Sequence, residues 1–212
     1  MNDYRIYNLN DKDIIFFKKT KEKWGGLSNM AGGYPLIIDN TMIYSSEALY
    51  QAMKFTQYPD IQREIILQKS PMHSKMIAKK NKNLVRSDWD LIKIKIMRWV
   101  LLIKLMFHYE SFGKLLAETK NKKIVELSHN DDFWGVVLTD KNNMIAKGKN
   151  ALGRLLMEIR DKTLHKKFNT VPVPNINDFK FLGRKIYSVN NFVDYKIKLQ
   201  FMKYKKKETL FE

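Results

Sequence analysis

The feature that most constrains this chain is a change in the period of its apolar residues at Ser45. Before it the pattern is that of strands and turns. Ile14, Ile15, Phe16 and Phe17 form a short apolar run, and Gly25-Gly26 and Gly32-Gly33 punctuate the next stretch of chain. Tyr34 to Ile38 and Met42 to Tyr44 then flank Asp39-Asn40, residues suited to a tight hairpin turn. From Ser45 the period becomes helical. Ala48, Leu49, Ala52, Met53 and Phe55 share one side, and Glu47, Gln51 and Lys54 share the other. Ser70-Pro71 offers a serine cap followed by proline at the first helical position. Ser87 precedes a long helix, with Asp88 and Asp90 placed at the positive end of its dipole. Trp89, Ile92, Ile96, Trp99, Val100, Ile103 and Phe107 recur along it at three- and four-residue spacing, as a central core helix requires. A last helix starts near Asn150 and buries Leu152, Leu155, Leu156 and Ile159.

At 212 residues and 44% hydrophobic, the chain can build one sizeable core and is too apolar to stay disordered. Its most apolar stretch, near Met97 to Phe107, is interrupted by Arg98 and Lys104, so no membrane span is expected. The first ten residues are polar and lack the apolar run of a secretory signal. The absence of cysteine excludes disulfides and thiolate chemistry and fits a reducing, cytoplasmic compartment.

The net charge of +17 has two readings: an anionic partner, or a composition rich in Lys, Asn and Ile such as an AT-rich coding sequence gives. Residues 161 to 212 hold 12 Lys and Arg against 5 Asp and Glu, so +7 of the charge sits there, ending in Lys205-Lys206-Lys207. With Phe179, Phe181, Ile186 and Tyr187 this segment reads as a basic extension packed on a domain of residues 1 to 160.

The four histidines are scattered without metal-ligand spacing, and no nucleophile elbow, P-loop or dinucleotide fingerprint is present. What remains is a set of carboxylates near aromatics. Glu47 lies in the first turn of a helix capped by Ser45, where the dipole favours its charged form. That suits a base or a stabiliser of positive charge, and equally an ordinary acidic residue at a helix start. In Asn130-Asp131-Asp132-Phe133-Trp134-Gly135, Asp131 is either chemical or a turn cap beside a buried Trp. Trp89 is either a stacking face or core. Together such groups could break a C–N glycosidic bond through an oxocarbenium-like state. A carboxylate answers the developing charge, aromatic faces hold the base, and Arg or Lys holds phosphate.

The ordered blocks are informative. Gly26-Leu27-Ser28-Asn29-Met30-Ala31 with Tyr34-Pro35, then Tyr44-Ser45-Ser46-Glu47-Ala48-Leu49-Tyr50-Gln51-Ala52-Met53-Lys54-Phe55, open the series. Ser70-Pro71 through Lys75, Arg86-Ser87-Asp88-Trp89, Asn130 through Gly135 and Asn150 through Met157 complete it. In order and spacing these blocks, from about Phe16 to Arg160, resemble the NADAR (YbiA-like) family of N-glycosidases.

That resemblance implies an α+β, largely helical domain with a small β-sheet. It implies no metal and no cofactor, and hydrolysis of N-glycosidic bonds in ribosylated or ADP-ribosylated compounds. Substrates of that kind are phosphorylated ribosylaminopyrimidine intermediates of riboflavin synthesis, or ADP-ribose on guanine in nucleic acid. By position it implies Glu47, Trp89 and Asp131 as the catalytic set. Asn29, Lys54 and Trp134 are implied as pocket residues, and Lys75, Arg86, Asn150 and Arg154 as phosphate or ribose contacts. Two positions depart from the family pattern. Ala48 stands where His often follows the glutamate, and Ala151 where Arg often follows the last asparagine. The alternative is a non-catalytic module binding ADP-ribose or, through the basic surface, nucleic acid.

Overall fold

The computed structural model describes residues 3–192 and Lys203, so the Lys205-Lys206-Lys207 end lies outside the described residues. In chain order the first elements are β1 (Arg5–Asn8), β2 (Ile14–Phe17), β3 (Leu36–Ile38), β4 (Thr41–Ile43) and α1 (Ser46–Ala52). Then come α2 (Pro59–Ile66), α3 (Pro71–Lys80), α4 (Trp89–Phe107), α5 (Lys114–Glu118), β5 (Lys123–Ser128), β6 (Val136–Asp140) and β7 (Ile145–Gly148). The last are α6 (Ala151–Thr163), β8 (Thr170–Pro172), β9 (Lys180–Phe181), β10 (Arg184–Lys185) and β11 (Ser188–Asn190). This is the expected α+β class. No helix among the described residues is long and apolar enough to cross a membrane. The chain forms two compact units, Met1–Ser28 with Glu110–Lys166, and Asn29–Tyr109 with Lys167–Glu212.

The first unit is built on one five-stranded sheet of order β1-β7-β6-β5-β2. β5 pairs in parallel with β2 and with β6, and β7 runs antiparallel to both β6 and β1. Tyr7, Ile14, Val125, Leu127, Val136 and Ala146 share its apolar core. α6 packs along β5 and buries Leu152, Leu155, Leu156 and Ile159, as its spacing requires.

Two residues make that close packing possible. A Cβ at Gly153 would come within 2.2 Å of the Ile124 carbonyl oxygen, so only glycine fits. Asn150, in the left-handed conformation at φ 49° and wholly buried, staples the strand with its side chain. Its Nδ2 donates to Ile124 O at 2.8 Å and its Oδ1 accepts from Glu126 N at 3.2 Å. Asn150→Ala would strand one buried and one part-buried backbone group and strain a left-handed residue. The expected loss is about 2–3 kcal/mol of stability, read from urea unfolding; a change below about 0.5 kcal/mol would refute the staple.

The second unit begins with the β3–β4 hairpin, turning through Asp39 at φ 47° and Asn40 at φ 55°. Two successive positive φ values match the strand twist, which is why Asp-Asn suits this turn. Ser45 caps α1 as expected, its Oγ accepting from Ala48 N at 3.1 Å. α1 is then enclosed by α2, α3 and α4, so that both its apolar and its polar sides are buried. α4 buries Ile92, Ile96, Trp99, Val100 and Ile103, while Trp89 and Phe107 at its ends are half-buried.

Residues 167–192 belong to this same unit. Phe179 meets Trp99 edge-on at 4.9 Å, and Phe181 is fully buried. Gln62 of α2 anchors the segment: its Nε2 donates to Lys180 O at 3.2 Å, and its Oε1 accepts from Leu182 N at 2.7 Å.

Candidate active site

The expected site residues fall in both units, and each group is described within its own. In the second unit α1 carries Glu47 one turn before Gln51, so i and i+4 share a face. Asn29 lies on the segment leading to the hairpin, where its carbonyl accepts from Glu47 N at 3.2 Å. Asn29 Nδ2 donates to Glu47 Oε2 at 2.8 Å, and Gln51 Nε2 donates to Glu47 Oε1 at 2.7 Å. Each carboxylate oxygen therefore has its own amide donor. Glu47 is only 6% exposed and the two amides 4% each. Hydrogen bonds to an ion at such burial are worth roughly 1.5–3 kcal/mol apiece and fix the carboxylate's plane.

Lys54 sits one turn further on. Its ammonium lies 5.4 Å over the Trp89 ring and 5.7 Å over the Tyr50 ring, and those two rings meet at 5.1 Å with a 56° tilt. Burial pushes Lys54 below the usual lysine range. The Glu47 carboxylate pulls it back up, while Lys75 and Lys93 press it further down. Lys75 itself is exposed on α3. Structure thus brings together Asn29, Glu47, Lys54 and Trp89, with Lys75 near enough to be felt.

Arg86 is engaged on every side. Its Nε and Nη2 grip Asp88 at 2.6 and 3.0 Å, Nη1 reaches Thr56 Oγ1 at 3.3 Å, and Nη2 also donates to Asn177 O at 2.7 Å. That guanidinium, 9% exposed, holds the Asp88 carboxyl below the ordinary carboxylate range. It walls a polar cavity of about 360 Å3, lined also by Lys54, Asn83, Ser87 and Asn177.

In the first unit Asp131 caps a turn. Its Oδ1 accepts from Phe133 N at 3.1 Å and Trp134 N at 2.8 Å, while its own N–H donates to Ser128 Oγ at 3.1 Å. The half-buried Trp134 ring stands edge-on to Phe133 at 5.1 Å. The first donors of α6 are already taken, Ala151 N by Phe133 O and Leu152 N by Trp134 O, both at 3.0 Å. The Asn150 side chain is likewise engaged, by the β5 backbone. Arg154 pairs at 2.8 Å with Asp3, whose carboxyl it holds below its ordinary value. Among the described residues no three His, Asp or Glu side chains are grouped as a metal site needs.

Sequence reasoning placed Gln51 beside Glu47 and Lys54 but gave it no part in the site. The signal available was its i+4 spacing from Glu47. A buried carboxylate with both oxygens fixed, next to a tilted Tyr–Trp pair and a desolvated lysine, can stabilise a cationic sugar carbon or take a proton from water.

Comparison with known proteins agrees with this chemistry. The family model described as the NADAR domain matches residues 15–164. "N-glycosidase YbiA" of Shigella boydii is 35% identical over 158 residues, spanning 74% of this chain and 93% of that protein. The NMR structure of Escherichia coli YbiA superposes with a TM-score of 0.59 at 34% identity, covering 70% of this chain and 83% of that one. The "Riboflavin biosynthesis protein PYRR, chloroplastic" of Zea mays is 33% identical over 175 residues, 76% of this chain and 26% of the maize protein. This chain belongs to the NADAR family and is an N-glycosidase, a hydrolase acting on N-glycosyl compounds.

Proposed function

We propose that the enzyme hydrolyses the C–N bond of a phosphorylated ribosylaminopyrimidine, with Glu47 as its reacting carboxylate. The observation that carries this reading is the fixed, buried carboxylate of Glu47 between Asn29 and Gln51. The bond between the ribosyl C1 and the base nitrogen breaks with its electron pair going to nitrogen. C1 gains oxocarbenium character that Glu47 offsets. Water then bonds to C1 and gives a proton to the carboxylate, while the departing nitrogen takes a proton from solvent. The half-buried Trp89, backed by Tyr50, offers a face for the planar base, and Lys54 a charge for the phosphate. Lys75 adds positive potential from α3. Asp131 has the part its bonds support, fixing the turn that presents Trp134.

The riboflavin name of the maize relative favours the small-metabolite class. A second reading, ADP-ribose on guanine in nucleic acid, is favoured by the +17 charge. Incubating the protein with both substrate types and following release of free base decides between them. The expected result is turnover of the ribosylaminopyrimidine with little salt dependence. Preference for the nucleic acid, falling steeply with salt, would replace it. Loss of that preference in a chain ending at Phe192 would assign it to the last lysines. Turnover of neither would place the substrate outside both classes.

Lys54 adds a pH signature. Because burial lowers its pKa, it loses its proton earlier than a surface lysine as pH rises. KM for the phosphorylated substrate should therefore start to climb below the ordinary lysine range, and Lys54→Gln should flatten that limb. An alkaline limb unchanged in the variant would remove Lys54 from phosphate binding.

A further inference from the structure

Asn29 and Gln51 each use only one end of the amide on Glu47. Their carbonyl oxygens, Asn29 Oδ1 and Gln51 Oε1, are buried and meet no donor. Neither amide can turn round to relieve this, because its oxygen would then face a carboxylate oxygen at 2.7 to 2.8 Å. Two acceptors are thus held beside the reacting carboxylate, in a place where unmet acceptors are unfavourable.

We propose that these two oxygens form a donor-reading subsite for the sugar, accepting hydrogen bonds from the ribosyl hydroxyls, the 2-hydroxyl first. This rests on the reading of Glu47 as the carboxylate facing C1. A carboxylate there lies across the ring from the departing base, so the donors within its reach belong to the sugar or the attacking water, not the base. Hydrogen bonds to the 2-hydroxyl strengthen as the oxocarbenium forms, which makes this position catalytic as well as selective. Gln51 is then a two-ended residue: its N–H hydrogens position Glu47 and its oxygen touches substrate. The enzyme selects ribosides and rejects 2-deoxyribosides. Intrinsic reactivity runs the opposite way, since the electron-withdrawing 2-hydroxyl disfavours the cationic sugar.

The test compares a ribosylaminopyrimidine 5-phosphate with its 2-deoxy counterpart on the full-length protein and on Gln51→Met, Gln51→Glu and Glu47→Gln. Wild type should favour the riboside by about 100-fold or more in kcat/KM. Gln51→Met removes donor and acceptor together, so that preference should shrink by about tenfold beyond any loss common to both substrates. Gln51→Glu keeps an acceptor but sets a second carboxyl against Glu47. It should hold the preference while moving the acidic limb of the rate profile to higher pH.

Wild-type rates within about threefold for the two sugars would overturn the proposal, as would equal losses on both in Gln51→Met, which assigns the oxygen to water. An unmoved acidic limb in Gln51→Glu overturns the positioning role. The wild-type comparison stands whether or not the variants fold. Glu47→Gln that still hydrolyses the riboside fails the underlying reading separately, whatever the sugar preference.

Discussion

Glu47→Gln should lower kcat by about a thousandfold or more while the protein stays folded and still binds its substrate. The substitution is nearly isosteric, but an amide cannot accept the water's proton or carry negative charge towards C1. The environment tolerates it for a specific reason. The new Nε2 would face one of the donors now serving Glu47, Asn29 Nδ2 or Gln51 Nε2, each of which ends an amide with an unpartnered oxygen. One amide rotation turns that oxygen towards the new N–H and restores a hydrogen bond. The expected stability change is therefore within about 1–2 kcal/mol. Single-turnover kinetics with calorimetric binding separates the two effects. Near wild-type turnover would sink Glu47 as the reacting carboxylate, and loss of binding with the activity would point to a positioning role.

The second large effect concerns Lys104, on the buried side of α4. Its ammonium lies 4.3 Å over the Tyr34 ring, and that ring meets His108 edge-on at 5.3 Å. The ring face favours the charged form, but complete burial outweighs it and pulls Lys104 down to about 7. Proton linkage sets the sign of the effect on stability. Between pH 7 and about 10 the unfolded chain holds this proton and the folded chain does not, so stability rises with pH across that window and is flat below it.

Lys104→Met removes this dependence. From pH 6 to pH 9 the wild type should gain about 2–3 kcal/mol relative to Lys104→Met, whatever their absolute difference. Urea unfolding at the two pH values measures it. A constant difference would mean that Lys104 keeps an ordinary pKa. Lys54, also lowered by burial, is common to both proteins and cancels in the difference.

Much of the helical part was legible in the residues. The Ser45 cap, the Asp39-Asn40 turn and the apolar spacing of α4 and α6 are local signals, and each sits where its pattern puts it. The sheet was legible only at β2. β5 buries Ile124 and Val125 side by side, because a strand paired on both edges and covered by α6 need not alternate. β1 and β7 are short and find each other across well over a hundred residues. No local period announces such pairs.

The last two family blocks also hold residues that fix the fold. Asn150 and Gly153 serve the approach of α6 to β5, and Asp131 serves as a turn cap, which was one of the two readings open for it. A block of recurring residues looks the same in sequence whether it serves packing or chemistry.

By itself the sequence determined the family, the bond type and the residue to watch, because those rest on residue identities in order. It placed Glu47, Gln51 and Lys54 on a polar helix side, which ordinarily means a side facing water. Only the tertiary structure decided that this side is enclosed, since burial comes from α2, α3 and α4 closing around α1. Enclosure is what turns an acidic residue in a helix's first turn into a carboxylate worth fixing with two amides. The hydrogen bond from Asn29, eighteen positions away, exists only once the hairpin segment folds back onto that helix.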